Sequence, residues 1–258
     1  MPGSDLDLLI DAARASGDIA RKHFQSDPQV WDKDGGAGPV TEADLEIDTM
    51  LRTELLAARA TYGWLSEETE DDAARLDHER VFIVDPIDGT RAFIEGKHHF
   101  SHSLAIAENG VVTTAVVYLP MMDKLYAATD QTAATMNGEA IAPSTRAELD
   151  GATLLATKNN LKDEHWQGGT PPFEHRFRPS LAYRLCLVAE GRFDAMLTLR
   201  DCWEWDIAAG ELIVRQAGGQ ATTRQGAALP FNAPHPKTKG CLAAGGALHG
   251  ALLARLKD

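Results

Sequence analysis

The chain has 258 residues, 44% of them hydrophobic, which is enough to bury a sizeable core as one large unit or two intimately packed halves. Its formal net charge of −13 argues against general binding to nucleic acid or to an anionic membrane, so a phosphorylated ligand would be drawn by local cations or bound metal. Met1-Pro2-Gly3-Ser4-Asp5 lacks the basic and apolar regions of a signal peptide, no apolar run reaches bilayer length, and Cys186, Cys202 and Cys241 form no C-x-x-C pair, so a cytoplasmic protein with reduced thiols is expected.

Apolar residues at helical spacing predict a first helix over Leu6 to Phe24, capped by Ser4 or Asp5. Asp34-Gly35-Gly36-Ala37-Gly38-Pro39 reads as a loop, beside Lys33. A second helix opens at Thr41-Glu42-Ala43-Asp44, with Thr41 as cap and Asp44 in the capping-box position; its stripe is Leu45, Ile47, Met50, Leu51, Leu55 and Leu56. A short strand after Gly63 ends in Ser66-Glu67-Glu68-Thr69. Val81 to Val84 is a buried-type strand, and Leu104 to Ala107 with Val111 to Leu119 forms a hairpin around Asn109-Gly110. Lys124 to Ala128 and Ala133 to Met136 continue the meander, and Leu161 to Pro179 reads as a long irregular connection. The pattern then alternates: helix over Leu181 to Glu190, strand over Phe193 to Leu199, helix over Asp206 to Ala217 closed by Gly218-Gly219, and a last helix over Ala247 to Leu256. The order predicts a layered α/β or α+β architecture without internal repeats. Residues 1–145 would form an α+β half with an antiparallel sheet, and residues 146–258 an α/β half, the two making one compact unit.

Three acidic points carry the chemistry. Asp85 and Asp88 flank Pro86-Ile87 where the strand breaks, and Gly89-Thr90 follows. In such a turn two carboxylates and the Ile87 carbonyl can converge, while Gly89 permits close backbone approach. A sparse oxygen set of this kind suits Mg²⁺, which keeps waters and substrate oxygens in its shell, and neighbouring N–H groups suit an anion. The structural alternative makes Asp85 a strand-end residue and Asp88 a helix cap. Glu67-Glu68 continues into Glu70, Asp71 and Asp72, so it fits a solvated acidic face as well as a metal cluster. Asp206, in Trp205-Asp206-Ile207-Ala208-Ala209-Gly210, fits a helix cap or a ligand.

Taken together these segments resemble the inositol monophosphatase superfamily over almost the whole chain. The resemblance rests on Val40-Thr41-Glu42-Ala43-Asp44, Ser66-Glu67-Glu68-Thr69 and Asp85-Pro86-Ile87-Asp88-Gly89-Thr90. It continues through Ser180 to Gly191, Trp205 to Gly210 and Ala217-Gly218-Gly219. It implies an αβαβα sandwich and a lithium-sensitive, Mg²⁺-dependent phosphomonoesterase using two to three ions, with a homodimer expected. Glu67, Asp85 and the Ile87 carbonyl would hold one ion, Asp85, Asp88 and Asp206 a second, and Glu68 would lie near a third. Thr90, polarised by Asp44, would help Glu67 deprotonate the attacking water. The N–H groups of Gly89 and Thr90 would hold the phosphate, with Asp88, Arg184 and Asp206 beside the substrate. The loop at Lys33 to Gly36 corresponds to the family's loop near the third ion, or to an ordinary connector.

The resemblance implies a small phosphorylated metabolite as substrate, and branches of the superfamily compete for its identity. Inositol phosphatases place an acidic residue upstream of the Trp-Asp pair; here that position is Leu199, with Asp201 nearby. Ser180 to Gly191 and Glu204 to Gly210 resemble the bacterial 3′(2′),5′-bisphosphate nucleotidases, whereas Asp88 to Gly96 resembles histidinol-phosphate phosphatases. Arg91, Arg184 and Arg200 are candidates for a second phosphate. His98-His99-Phe100-Ser101-His102 lacks partners for zinc, and Trp203 and Trp205 read as packing residues, one of which could shape the substrate wall. The non-enzymatic alternative is a binding module of the transcription machinery.

Overall fold

The computed structural model describes residues 3–26, 28–33 and 38–257. The loop predicted at Asp34-Gly35-Gly36-Ala37 lies outside the described residues. Ser4 caps the first helix, α1 (Asp5–His23): its hydroxyl accepts the Asp7 N–H, and the Asp7 carboxylate accepts the N–H of Ser4. A hairpin of β1 (Val30–Asp32) and β2 (Pro39–Thr41) leads into α2 (Glu42–Ala58), where Thr41 and Asp44 build the same box. The buried stripe of α2 is Ala43, Ile47, Leu51 and Leu55; Leu45, expected in it, is 41% exposed.

The main sheet has seven strands in chain order: β3 (Gly63–Ser66), β4 (Arg80–Asp88), β5 (Ser101–Glu108), β6 (Val111–Leu119), β7 (Lys124–Thr129), β8 (Thr135–Met136) and β9 (Glu139–Ala140). β3 and β4 are parallel, and the rest pair antiparallel. Asn109 and Gly110 turn at φ of 50° and 82°, the left-handed backbone that a tight hairpin requires. Side chains alternate along β4: Phe82 and Val84 pack with Leu9, Ile47 and Leu51 of α1 and α2, while Val81 and Ile83 face the opposite cluster.

That opposite cluster holds α4 (Leu181–Ala189) and α5 (Glu204–Gln216), which are packed between two sheets. All nine residues of α4 are buried. The second sheet is ordered β11–β10–β12–β14–β13, from β10 (Thr153–Leu155), β11 (Glu174–Arg176), β12 (Ala195–Trp203), β13 (Gly219–Thr222) and β14 (Lys237–Gly245). Its far face packs Leu154, Leu197 and Leu242 against Trp166 and against Leu248 and Leu252 of α6 (Gly246–Arg255). Counting a short α3 (Thr90–Ile94) at the end of β4, the layers run helix, sheet, helix, sheet, helix, the expected αβαβα sandwich.

Candidate active site

The long strand β4 ends irregularly, and that irregularity builds the site. Its pairing with β5 runs in register through Asp85↔Ser103 and then shifts before Asp88↔Ser101. Residues three apart on a regular strand point to opposite faces; the shift lets Asp85 and Asp88 share one. The Pro86 carbonyl inside it accepts a hydrogen bond from Nδ1 of the buried His102, at 2.6 Å. Gly89 follows at φ 103°, a conformation that favours glycine, and Thr90 starts α3.

Asp206 arrives from the other half of the chain. It is the third residue of α5 and accepts the N–H of Trp203, at 3.2 Å. It therefore ties down the helix start without being its cap. One oxygen from each of Asp85, Asp88 and Asp206 lies within 4.8 Å of the others. Asp85 and Asp88 are buried and Asp206 is partly buried. Burial, and then the charges of its neighbours, hold the Asp85 carboxyl well above the usual carboxylate range, and Asp206 likewise. Asp88 is pushed up to about 6, mainly by burial; hydrogen bonds from Ser180 Oγ (2.7 Å) and the Ala182 N–H (2.6 Å) oppose the shift.

Oδ1 of Asp85 is buried with no hydrogen-bond partner among the described residues. An orphaned buried carboxylate oxygen, crowded by two further carboxylates, fits a cation in that position. Of the two acidic side chains beyond β3, Glu68 is the more buried, 3% exposed against 23% for Glu67. Burial and the charge of Glu67 lift Glu68 to about 8. Between them sits the Lys33 ammonium, 2.8 Å from Glu67 and 2.7 Å from Glu68. Lys33 thus already brings positive charge to these two oxygens.

The fold brings Thr90 and Asp44 together: the Thr90 hydroxyl lies 3.2 Å from Asp44 Oδ1 and 3.1 Å from the Ile87 carbonyl. The other Asp44 oxygen accepts from the backbone and hydroxyl of Thr41, and burial raises its carboxyl to about 6. Glu67, Asp88, Gly89, Thr90, Arg184 and Arg200 line one cavity of about 670 Å³, which Arg91 also borders. Leu199 is partly buried against the second sheet's apolar cluster, and Asp201 is exposed beyond a bulge in β12. His98, His99 and His102 go separate ways: His98 against Phe24, His99 stacked on Tyr183, and His102 inward. Trp203 and Trp205 stack on each other, 4.6 Å between centroids.

Ser180 and His102 were not foreseen as parts of the site. Ser180 precedes an apolar helical run and carries the signal of an N-cap, which it is; its contact with Asp88 spans 92 residues and leaves no local trace.

The sequence matches the inositol monophosphatase family over residues 4–258. It is 34% identical to an inositol-1-monophosphatase of Rhizobium meliloti over 239 residues, covering 88% of each chain. It is also 31% identical to the Nus factor SuhB of Escherichia coli K12 over 224 residues, covering 83% of each. Among solved structures it resembles an IMPase of Thermotoga maritima, with a TM-score of 0.83 and 29% identity over 96% of this chain and 95% of that one. The extragenic suppressor protein suhB of Bartonella henselae superposes with a TM-score of 0.80 and 28% identity, covering 96% of each chain.

Proposed function

The chain belongs to the inositol monophosphatase family, and on that premise we propose that it is a Mg²⁺-dependent phosphomonoesterase of a small phosphorylated metabolite. The observation that carries this reading is the cluster of Asp85, Asp88 and Asp206, with an unpartnered buried oxygen on Asp85. Asp85 and Glu67 with the Ile87 carbonyl would hold one ion, Asp85, Asp88 and Asp206 another, and Glu68 a looser third. Divalent cations there supply acidification of a water and charge neutralisation of the phosphoryl and leaving oxygens.

The residues of the chain do the rest. Glu67 takes a proton from the attacking water, and the Thr90 hydroxyl, held by Asp44, orients that water and lets Asp44 share the proton. With its carboxyl near 6, Asp44 is mostly ionised at neutral pH and able to accept. The backbone turn at Gly89-Thr90 receives the phosphate, and Arg184 faces the leaving group. No covalent phosphoenzyme is required. A homodimer belongs to the proposal on the family resemblance alone, and three free buried thiols agree with a cytoplasmic setting. Among the described residues no helix is long and apolar enough to cross a membrane.

Asp88→Asn tests the reading: it removes one ligand charge from the cluster yet can keep the acceptor used by Ser180 and Ala182. Phosphate release should fall by about 100-fold or more with circular dichroism unchanged. Near-normal turnover would defeat the two-metal assignment. A Mg²⁺-dependent panel of inositol 1-phosphate, adenosine 3′,5′-bisphosphate and histidinol phosphate, ranked by kcat/KM, chooses among the substrate branches.

A second reading has one observation behind it, the likeness to proteins named as Nus factors. A binding role in transcription would need no carboxylate cluster, and it would survive Asp88→Asn. The complete set of Asp44, Glu67, Asp85, Asp88, Thr90 and Asp206 favours hydrolysis.

A further inference from the structure

Glu67 and Glu68 stand on irregular backbone. β3 ends at Ser66, and no helix or strand begins again before Ala73. A glutamate on such a bend can wander, whereas a metal ligand has to be held to within about 0.5 Å. One bond fixes the near end: the Glu67 N–H donates to the Val84 carbonyl at 3.2 Å, next to Asp85 on β4. The turn itself is gathered by Asp48. The Ser66 hydroxyl donates to its Oδ1 at 2.5 Å, and the Thr69 hydroxyl to its Oδ2 at 2.6 Å. One carboxylate thus closes the turn from both ends and leaves Glu67 and Glu68 at its corners. The two hydroxyls are tied in their turn. Ser66 Oγ accepts the Glu68 N–H at 3.3 Å, and Thr69 Oγ1 accepts the indole N–H of Trp64 at 3.2 Å.

Asp48 is buried on α2, one turn beyond Asp44. Residues four apart share a helix face, and Asp44 is the acceptor of the Thr90 hydroxyl. One helix therefore carries a carboxylate for each arm of the site, Thr90 on one side and the Glu67-Glu68 turn on the other. A buried carboxylate is a costly way to close a turn that neutral groups could close. What it adds is two acceptors on one group, with the short bonds of a charged acceptor. We propose that Asp48 is a positioning residue: through Ser66 and Thr69 it sets the turn that presents Glu67 and Glu68 to the divalent cations, touching neither cation nor substrate. The inference rests on the phosphomonoesterase reading and adds to it a residue that acts only through two hydroxyls.

Titration calorimetry of Mg²⁺ into the metal-free protein tests it, because it reads the ligands rather than turnover. Asp48→Ala should weaken at least one Mg²⁺ step by about tenfold or more. Asp48→Asn keeps one acceptor and should fall between Asp48→Ala and the parent. The double variant Ser66→Ala, Thr69→Val should weaken Mg²⁺ comparably. Adding Asp48→Ala to that pair should change little further, since all three act through the same two bonds. In turnover the effect should appear as a raised Mg²⁺ requirement, with substrate KM at saturating Mg²⁺ within about threefold of the parent. Thr69 is only partly buried, so Thr69→Val remains informative if Asp48→Ala fails to fold. Parent-like Mg²⁺ affinity in Asp48→Ala, or in Thr69→Val should the former not fold, would overturn the positioning role and leave the phosphatase reading standing. So would a full further loss on adding Asp48→Ala to the hydroxyl pair, which would make Asp48 act by another route. A parent protein that neither binds Mg²⁺ nor releases phosphate from any ester of the panel would instead bring down the phosphatase reading and this inference with it.

Discussion

Thr90 offers one hydroxyl proton to two acceptors, Asp44 Oδ1 and the Ile87 carbonyl, so its role can be separated from its bulk. Thr90→Ser keeps the hydroxyl and should retain turnover within about tenfold, whereas Thr90→Val should lose about 100-fold or more in kcat. Turnover retained by Thr90→Val would show that the hydroxyl is not needed, and a loss in Thr90→Ser as large as in Thr90→Val would show that the hydroxyl alone does not carry the role. Lys33 makes a different prediction. Its ammonium occupies the oxygens of Glu67 and Glu68 that a divalent ion would use. Lys33→Met should therefore tighten Mg²⁺ binding, by about tenfold in titration calorimetry, because the ion no longer displaces a charge-assisted pair. Unchanged or weaker affinity would reject the competition. His102 sets a pH dependence. Burial pushes it down to about 4, so between about 6.5, where the unfolded chain takes its proton, and about 4 the unfolded state binds more protons. Stability from this group is full above that window and falls by about 3 kcal/mol on descending through it. His102→Asn can still donate to the Pro86 carbonyl but does not titrate, so urea unfolding should show a shallower loss from pH 6.5 to 4. A slope identical to that of the parent would remove His102 from the account.

At the level of elements, the close packing of α4 on α5 is the most exacting contact. A Cβ at Gly210 would lie 2.4 Å from Leu185 Cδ1 and 2.6 Å from its Cβ, and the latter cannot swing away. Gly210→Ala gains helix propensity yet should cost about 1–3 kcal/mol in chemical denaturation. No loss of stability would mean the two helices can part freely. The small residues Ala208, Ala209 and Gly210 permit this closeness, and the capping box at Thr41 and Asp44 is legible in the sequence as the start of α2. Metal-type chemistry restricts residue kind and spacing, which is why Asp85, Asp88 and Asp206 stood out. The strands β13 and β14 did not stand out. β14 begins with Lys237 and Lys239, turns through Gly240 at φ 74°, and ends in Ala243, Ala244 and Gly245, a composition with little strand propensity. Its place in the sheet is set by β12 and β13 on either side. The hold of Ser180 on Asp88 and of His102 on Pro86 was hidden for the same reason, since tertiary contacts have no spacing rule.

Across the whole molecule, cations should report on assembly as well as reaction. The carboxylate cluster is drawn from both halves and repels itself, so ions that join it stabilise the folded chain by mass action. Mg²⁺ at about 100 times its dissociation constant should add about 2.7 kcal/mol, a Tm rise of about 5 °C or more over protein in chelator. Asp88→Asn should lose most of that rise, and a Tm indifferent to Mg²⁺ would remove the cation site. The order of the ligands along the chain has a consequence during synthesis. A ribosome that has finished α4 has already released Asp44, Glu67, Asp85 and Asp88, but Asp206 and the strand β14 are still to come. The emerging polypeptide has no closed carboxylate cage to trap an ion around a half-built sheet, and on the proposed function a product truncated before α5 would lack one ligand and should be inert as a hydrolase. On that reading competence would arrive late and all at once, with the helix that carries Asp206.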